Sequence, residues 1–156
     1  MNGNINVFTD GSCKILRQGN IGSWVAIIFI NEARYTISGF EENTTHNRME
    51  LLAVIKAIEF VFGDNKITNN LIIFSDSQYV VQLKDRKNTL IENNFLTGKG
   101  TFIQNCDLVK ILLQKMEDFP LTFIKVKAHK KKEKIQNFNR EADILARKMV
   151  RSYLIK

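Results

Sequence analysis

Hydrophobic and polar residues alternate at the start of the chain, and this pattern predicts a half-buried β-strand that leads to an acid. The alternation runs from Asn4 to Asp10, and the strand is expected over residues 5–9. Gly11 and Ser12 follow at once and predict a turn. A carboxylate at the edge of a strand is costly to bury unless it is paired or binds a metal ion, so Asp10 is a candidate functional residue.

Two further strands and a helix follow, each with its own periodicity. Residues 22–30 are apolar on both sides, which predicts a strand covered on both faces, and residues 34–40 predict a third strand after a tight turn. From Arg48 the period becomes helical, and Gly63 is expected to end the helix. The inner stripe of this helix comprises Leu51, Val54, Ile55, Ile58, Val61 and Phe62.

The second half of the chain alternates strands with helices. The predicted elements are strands over residues 71–74 and 121–126, helices over 78–87, 107–117 and 139–153, and a short helical segment within 88–96. This order predicts an α/β fold with a mixed five-stranded sheet, helices on its faces and strand four parallel to strand one. Asp10 and Asp76 then emerge at the carboxyl ends of neighbouring strands, where open α/β sheets bind ligands.

Composition narrows the class of protein. The 156 residues are expected to form a single domain, residues 1–156, and no apolar run is long enough to predict a membrane span. The first residues lack the pattern of a signal peptide, and two cysteines are too few for a disulfide scaffold, so a cytoplasmic or other intracellular protein is expected. The net charge of +7 favours an acidic partner such as nucleic acid.

Four acids occupy comparable positions: Asp10, Glu50 early in a helix, Asp76 after a strand, and Asp143 in the last helix. If they converge, they repel one another unless cations neutralise them, and carboxylates suit magnesium or manganese. Two such ions could clamp the attacking and leaving oxygens of a phosphodiester. The alternative is that these acids are separate helix caps and surface charges, and Asp76 in particular lies in a capping signature, Ser-Asp-Ser.

Five short segments resemble type 1 ribonuclease H in order and spacing, across nearly the whole chain. They are Phe8-Thr9-Asp10-Gly11-Ser12, Thr44-Thr45-His46-Asn47-Arg48-Met49-Glu50-Leu51, Ser75-Asp76-Ser77-Gln78-Tyr79-Val80, Val126-Lys127-Ala128-His129 and Asn139-Arg140-Glu141-Ala142-Asp143. The resemblance implies a ribonuclease H-like fold with sheet order 3-2-1-4-5. It also implies an endoribonuclease that cuts the RNA strand of RNA–DNA hybrids with two Mg²⁺ ions, for which Mn²⁺ is an expected substitute.

The resemblance also assigns roles to individual residues. Asp10 matches the acid that bridges both ions, Glu50 and Asp76 match ligands on the leaving-group side, and Asp143 matches a ligand on the water side. His129 matches a mobile histidine that assists proton transfer or product release. The expected partner is an RNA–DNA hybrid, with no membrane and no protein partner, and the protein is expected to be a monomer.

Further residues match positions that contact the hybrid. The backbone of Gly11, Ser12 and Cys13 would read the ribose 2′-hydroxyl with Glu50, since that hydroxyl distinguishes RNA from DNA. The remaining matches are Asn47 and Gln78 in the minor groove, and Thr45 and Asn105 at a phosphate of the DNA strand.

The chain departs from the family pattern in three places. Asn43 stands where some relatives have an arginine, and His46 stands where asparagine is usual. Residues 84–103 replace a basic handle rich in tryptophan, and positive charge is concentrated instead at Lys130, Lys131, Lys132 and Lys134, which could equally be a solvated loop. Two alternatives stay open: a resolvase- or transposase-like metallonuclease of the same fold, and a non-catalytic nucleic-acid-binding module.

Overall fold

A mixed five-stranded sheet forms the centre of the protein. The computed structural model describes residues 3–63, 69–127 and 134–155, with the side chains of 137–154 in the last range. The strands are β1 (Ile5–Lys14), β2 (Ile21–Ile30), β3 (Ala33–Glu42), β4 (Leu71–Ser75) and β5 (Leu121–Lys125). Their order in the sheet is β3-β2-β1-β4-β5, with β1 antiparallel to β2 and parallel to β4, so the predicted fold class and strand order are confirmed.

The helices are α1 (His46–Phe62), α2 (Gln78–Val81), α3 (Leu83–Glu92), α4 (Cys106–Asp118) and α5 (Lys134–Ile155). The helix predicted over 78–87 is in fact two helices that meet at Gln82, and the second absorbs the first half of the short segment predicted within 88–96. The last helix begins five residues before Asn139, the predicted start. Within the described ranges no helix has the length and hydropathy needed to cross a membrane.

The two faces of the sheet carry separate hydrophobic cores. Val7, Ala26 and Ile28 belong to the core that α1 covers, whereas Val25 and Ile27 belong to the core that α5 covers through Ala142 and Ala146. Adjacent residues of β2 thus point to opposite faces, as strand geometry requires. This explains why residues 22–30 are apolar at consecutive positions, and it confirms that the strand is covered on both sides.

The prediction that the first strand turns immediately after Asp10 is wrong. β1 continues through Lys14 and pairs with β2 along that length, including Gly11 with Trp24 and Ser12 with Ser23. Its pairing with β4, however, ends at Phe8 opposite Phe74. Asp10 therefore lies within β1 but just beyond the reach of β4, so it reaches the same end of the sheet as Asp76, which directly follows β4.

Candidate active site

Gly11 determines how closely α1 approaches the sheet. A Cβ atom at this position would lie 2.7 Å from the backbone nitrogen of Glu50 and 2.7 Å from the Cβ of Met49. Only glycine leaves room for the first turns of α1 against β1, because contacts under 3 Å between such atoms are repulsive. This close packing carries Glu50 next to Asp10.

Both of these acids are removed from solvent. Asp10 is 3% exposed and Glu50 is fully buried. Burial raises the pKa of Asp10 well above its ordinary value, and the negative charge of Glu50 raises it further. Burial also raises the pKa of Glu50, and the charges of Asp76 and Asp143 act in the same direction. The two carboxyl groups are held where their ionised forms are strongly disfavoured without a cation.

Asp76 and Asp143 complete the cluster from β4 and α5. Asp76 is half-buried, and burial raises its pKa, as does the charge of Asp143, while the charges of His46 and Lys125 oppose the shift. Asp143 accepts a hydrogen bond from Nε of Arg147 at 2.9 Å, one turn later on α5. All four acids predicted from the sequence thus lie at one end of the sheet, close enough for the negative charge of one acid to raise the pKa of another.

Asp76 is not the cap of the helix that follows it. The N-cap of α2 is Ser77, whose hydroxyl accepts a hydrogen bond from the backbone N–H of Val80. Ser75 is also occupied, since its hydroxyl accepts a hydrogen bond from the N–H of Ser77. The capping alternative is therefore excluded for Asp76, and its carboxylate remains available for another role.

The donor set fits a hard divalent cation. Neither carboxylate oxygen of Glu50 has a well-formed hydrogen bond within the part of the chain that the structure describes; the polar groups that approach it are the carboxyl group of Asp10 and the backbone of Gly11. A buried carboxylate without good hydrogen bonds is costly, because the desolvation penalty of the charge is not compensated. A magnesium or manganese ion held by Asp10, Glu50, Asp76 and Asp143 would supply that compensation with ligands both ions accept.

An open cleft of about 380 Å³ adjoins the acids. Its walls comprise residues 11–14 of β1, His46, and Asp143 and Arg147 of α5, with Arg151 further along the same helix. Lys14, Arg147 and Arg151 supply positive charge around the cluster of acids, which suits a polyanionic ligand. Ser12 and Cys13, both predicted as substrate contacts, line this cleft.

The other predicted substrate residues lie at the starts of helices. Asn47 and Gln78 are exposed in the first turns of α1 and α2. Thr45 is the N-cap of α1, and its hydroxyl accepts a hydrogen bond from the N–H of Arg48 while keeping its own proton to donate. Asn105 precedes α4 in a left-handed conformation, with φ 57°, and its side chain does not cap the helix.

Arg48 connects the starts of α1 and α4, a role that the sequence did not predict. Its guanidinium donates to Asp107 through two hydrogen bonds of 3.0 and 2.9 Å and to Glu41 at 2.6 Å. One side chain thus ties the first turn of α1 to the end of β3 and to the first turn of α4. Its two acidic partners are 7 and 59 residues away, so no local sequence pattern could have shown the contact.

Two predicted features lie outside the described residues. They are His129 and the lysines at positions 130–132, for which the sequence-based expectations stand as predictions. Both cysteines, in contrast, are described, and Cys13 and Cys106 are free thiols, in agreement with the prediction that the chain has no disulfide scaffold.

Comparison with known proteins agrees with the fold. The RNase H family model matches residues 2–151. The ribonuclease H of Thermoanaerobacter pseudethanolicus is 36% identical over 153 residues, covering 94% of this chain and 90% of that protein. The ribonuclease H of Wolbachia pipientis wMel is 35% identical, covering 92% of this chain and 93% of that protein. The chain therefore belongs to the ribonuclease H family of enzymes.

Solved structures show the same fold at lower sequence identity. LC9-RNase H1, a type 1 RNase H with the type 2 active-site motif, superposes with a TM-score of 0.75 at 23% identity, over 92% of this chain and 70% of that chain. LC11-RNase H1, solved in complex with an RNA/DNA hybrid, gives a TM-score of 0.69 at 17% identity, over 96% of this chain and 99% of that chain.

Proposed function

We propose that this ribonuclease H hydrolyses the RNA strand of RNA–DNA hybrids with two divalent metal ions held by Asp10, Glu50, Asp76 and Asp143. The observation that carries the proposal is the burial of Asp10 and Glu50 side by side, with both oxygens of Glu50 lacking a well-formed hydrogen bond among the described residues. Such an arrangement stores repulsion that a cation relieves. Two buried acids contribute little to the stability of the fold, because a pair of apolar side chains at these positions would have a smaller desolvation penalty.

The chain's own residues would hold and orient the ions. Asp10 lies next to Glu50, and its match to the family's metal-binding acids would make it the ligand shared between the ions. Glu50 and Asp76 would hold the ion nearer the leaving group, and Asp143, on the opposite side in α5, would complete the other position. Bound magnesium would supply Lewis-acid stabilisation of charge on the attacking and leaving oxygens, and manganese is an acceptable substitute.

Recognition of the RNA strand would rest on the backbone of Gly11, Ser12 and Cys13. The edge of β1 that faces β4 is paired only from Ile5 to Phe8 in the described sheet, so the later residues have no neighbouring strand on that side. Their backbone groups and the buried Glu50 adjoin the cleft, where they could contact a ribose 2′-hydroxyl.

Contacts to the rest of the hybrid would come from the helix starts. Asn47 and Gln78 are exposed and would reach the minor groove. Thr45 and Asn105 flank the Arg48–Asp107 ion pair, so they belong to one neighbourhood, and with the N–H groups of two helix starts they would hold a phosphate of the DNA strand. The complex of LC11-RNase H1 with an RNA/DNA hybrid supports this class of substrate.

The test is cleavage of matched labelled duplexes. Hybrid, RNA–RNA and DNA–DNA duplexes of one sequence are incubated with the protein in magnesium, in manganese and in chelator. We expect efficient cutting only of the RNA strand of the hybrid, and only with metal. Efficient DNA–DNA cleavage would instead favour a resolvase-like nuclease, and binding without any cleavage would favour a non-catalytic module.

A further inference from the structure

His46 places an imidazole nitrogen at the mouth of the acid cluster. It is the first residue of α1, and its side chain, which lines the cleft, is 62% exposed. Its Nε2 atom lies 3.5 Å from Oε1 of Glu50, which follows one turn later on the same face of the helix. This separation is too long for a good hydrogen bond, so a hydrogen bond does not account for the closeness of the two side chains.

The geometry instead matches two ligands of one ion. One ligand atom from each of Asp10, His46 and Glu50 can be chosen so that all three lie within 4.8 Å of one another. Two ligand atoms bound to the same cation at about 2.1 Å are about 3.0 Å apart at a right angle and about 3.4 Å apart at a tetrahedral angle. The observed 3.5 Å therefore needs only a small adjustment of an exposed side chain.

The second line of support is the poorly hydrogen-bonded carboxylate. Glu50 is fully buried, and neither of its oxygens has a well-formed hydrogen bond in the described ranges. Helices that bind metals commonly use two ligands at positions i and i+4, because these side chains project from the same face. His46 and Glu50 have this spacing at the N-terminal end of α1, where the helix opens onto the cleft.

We propose that His46 is a nitrogen ligand of a divalent ion at the Asp10–Glu50 position, and that it shifts the metal preference of this protein from Mg²⁺ towards Mn²⁺. This inference rests on the proposed function, because it assumes that the acids bind metal ions. Imidazole is a poor ligand for magnesium but a good one for first-row transition metals. An oxygen-only site would accept both ions, whereas one nitrogen ligand favours the transition metal.

The test is the coordination of Mn²⁺ in the intact 156-residue chain, measured by pulsed electron paramagnetic resonance at about pH 8, at which free imidazole is neutral. A nitrogen bound directly to Mn²⁺ modulates the electron spin echo. The chain has only two histidines, so His46→Asn and His129→Asn form a matched pair of variants. We expect the nitrogen modulation in the wild type and in His129→Asn, and its loss in His46→Asn.

Calorimetric titration gives the second readout. His46→Asn should weaken Mn²⁺ binding about tenfold while changing Mg²⁺ binding by less than about threefold. An unchanged melting temperature of the metal-free variant would show that the fold is intact, as expected for an exposed residue.

Two contrary results have different meanings. Mn²⁺ binding without nitrogen modulation, or equal weakening of both ions, would overturn the role of His46 alone and leave an oxygen-only site able to support hydrolysis. A wild-type protein that binds neither ion would overturn both this proposal and the proposed function.

Discussion

At the scale of single residues, the largest desolvation of charge in the described site falls on two acidic side chains, Asp10 and Glu50. Asp10 and Glu50 are almost completely buried, and each has its pKa raised first by burial and then by neighbouring negative charge. A folded protein that holds protons on these groups binds more protons than its unfolded chain above about pH 4. The free energy of unfolding of the metal-free protein should therefore fall as the pH rises from about 4 towards neutrality.

Replacing Asp10 tests this cost and the metal role together. Asp10→Asn replaces a buried acid that must take up a proton at neutral pH by a neutral amide, so we expect the melting temperature of the metal-free protein at neutral pH to rise by about 2–4 °C, equivalent to about 1 kcal/mol. The decline of stability with pH should become shallower. Cleavage should be abolished, because the shared ligand loses its charge. Thermal melts across pH and a cleavage assay measure these effects.

A matched control uses an acid outside the cluster. Glu117→Gln removes a charge that pairs with Lys87 on the surface between α3 and α4, and it should leave both the pH profile and cleavage nearly unchanged. If Asp10→Asn kept near-normal turnover, Asp10 could not be a metal ligand.

At the scale of secondary-structure elements, contacts between distant segments decide what the sequence could show. The strands and helices follow from local periodicity, and so does the convergence of Asp10 and Asp76 once β4 is placed beside β1. Local sequence predicts a turn at Gly11, because glycine commonly interrupts strands. Its actual role, to admit α1 against β1, depends on a contact 39 residues away with Glu50, which no local pattern contains.

The same limitation explains the remaining differences. In Ser75-Asp76-Ser77 all three side chains are competent caps, so the sequence alone could not select Ser77. In the sequence His46 is marked only as an unusual residue at its position, because its approach to Glu50 and Asp10 depends on where α1 begins. No local pattern marks Arg48, because its partners come from β3 and α4.

Arg48 provides the prediction that belongs to this scale. Its bidentate bond to Asp107 holds the start of α4, and hence Asn105, against the start of α1. We expect Arg48→Met to raise KM for the hybrid several-fold while kcat changes by less than about twofold, because no reacting group is touched. Stability should fall by about 1 kcal/mol, since Asp107 is largely exposed. Steady-state kinetics and chemical denaturation measure the two effects.

Arg34→Met is the control for that prediction. Arg34 also joins two elements, β3 and α5, through an ion pair with Glu141. In the sheet, however, Arg34 lies opposite Phe29, at the end of β2 that is distant from the acids. It should lower stability to a similar or smaller extent without raising KM. A normal KM in Arg48→Met would mean that this ion pair is structural only. Nuclear magnetic resonance gives an independent check, because Arg48 holds the pKa of Asp107 below its usual range and the variant should raise it.

At the scale of the whole molecule, an acidic centre lies within a basic protein. The net charge is +7 although the cluster itself brings four acids together. Lys14, Arg147 and Arg151 line the cleft beside the acids, and the sequence concentrates further lysines at positions 130–132. Such a distribution attracts a polyanion to the surface while leaving the centre attractive to divalent cations.

The lysines at 130–132 supply the last prediction. If they contact phosphates of the hybrid, replacing all three by Gln should weaken binding and reduce the slope of log K against log salt by about one unit for each lost contact. The matched control replaces Arg34, Lys56 and Lys115 by Gln; these cations pair with Glu141 and Glu59, and their loss lowers the net charge equally. A catalytically inactive Asp10→Asn background keeps the hybrid intact while binding is measured across salt concentrations. Equal slopes in both triple variants would show that the lysines act only through the overall charge, because direct phosphate contacts release counterions at the site of contact whereas distant charges do not.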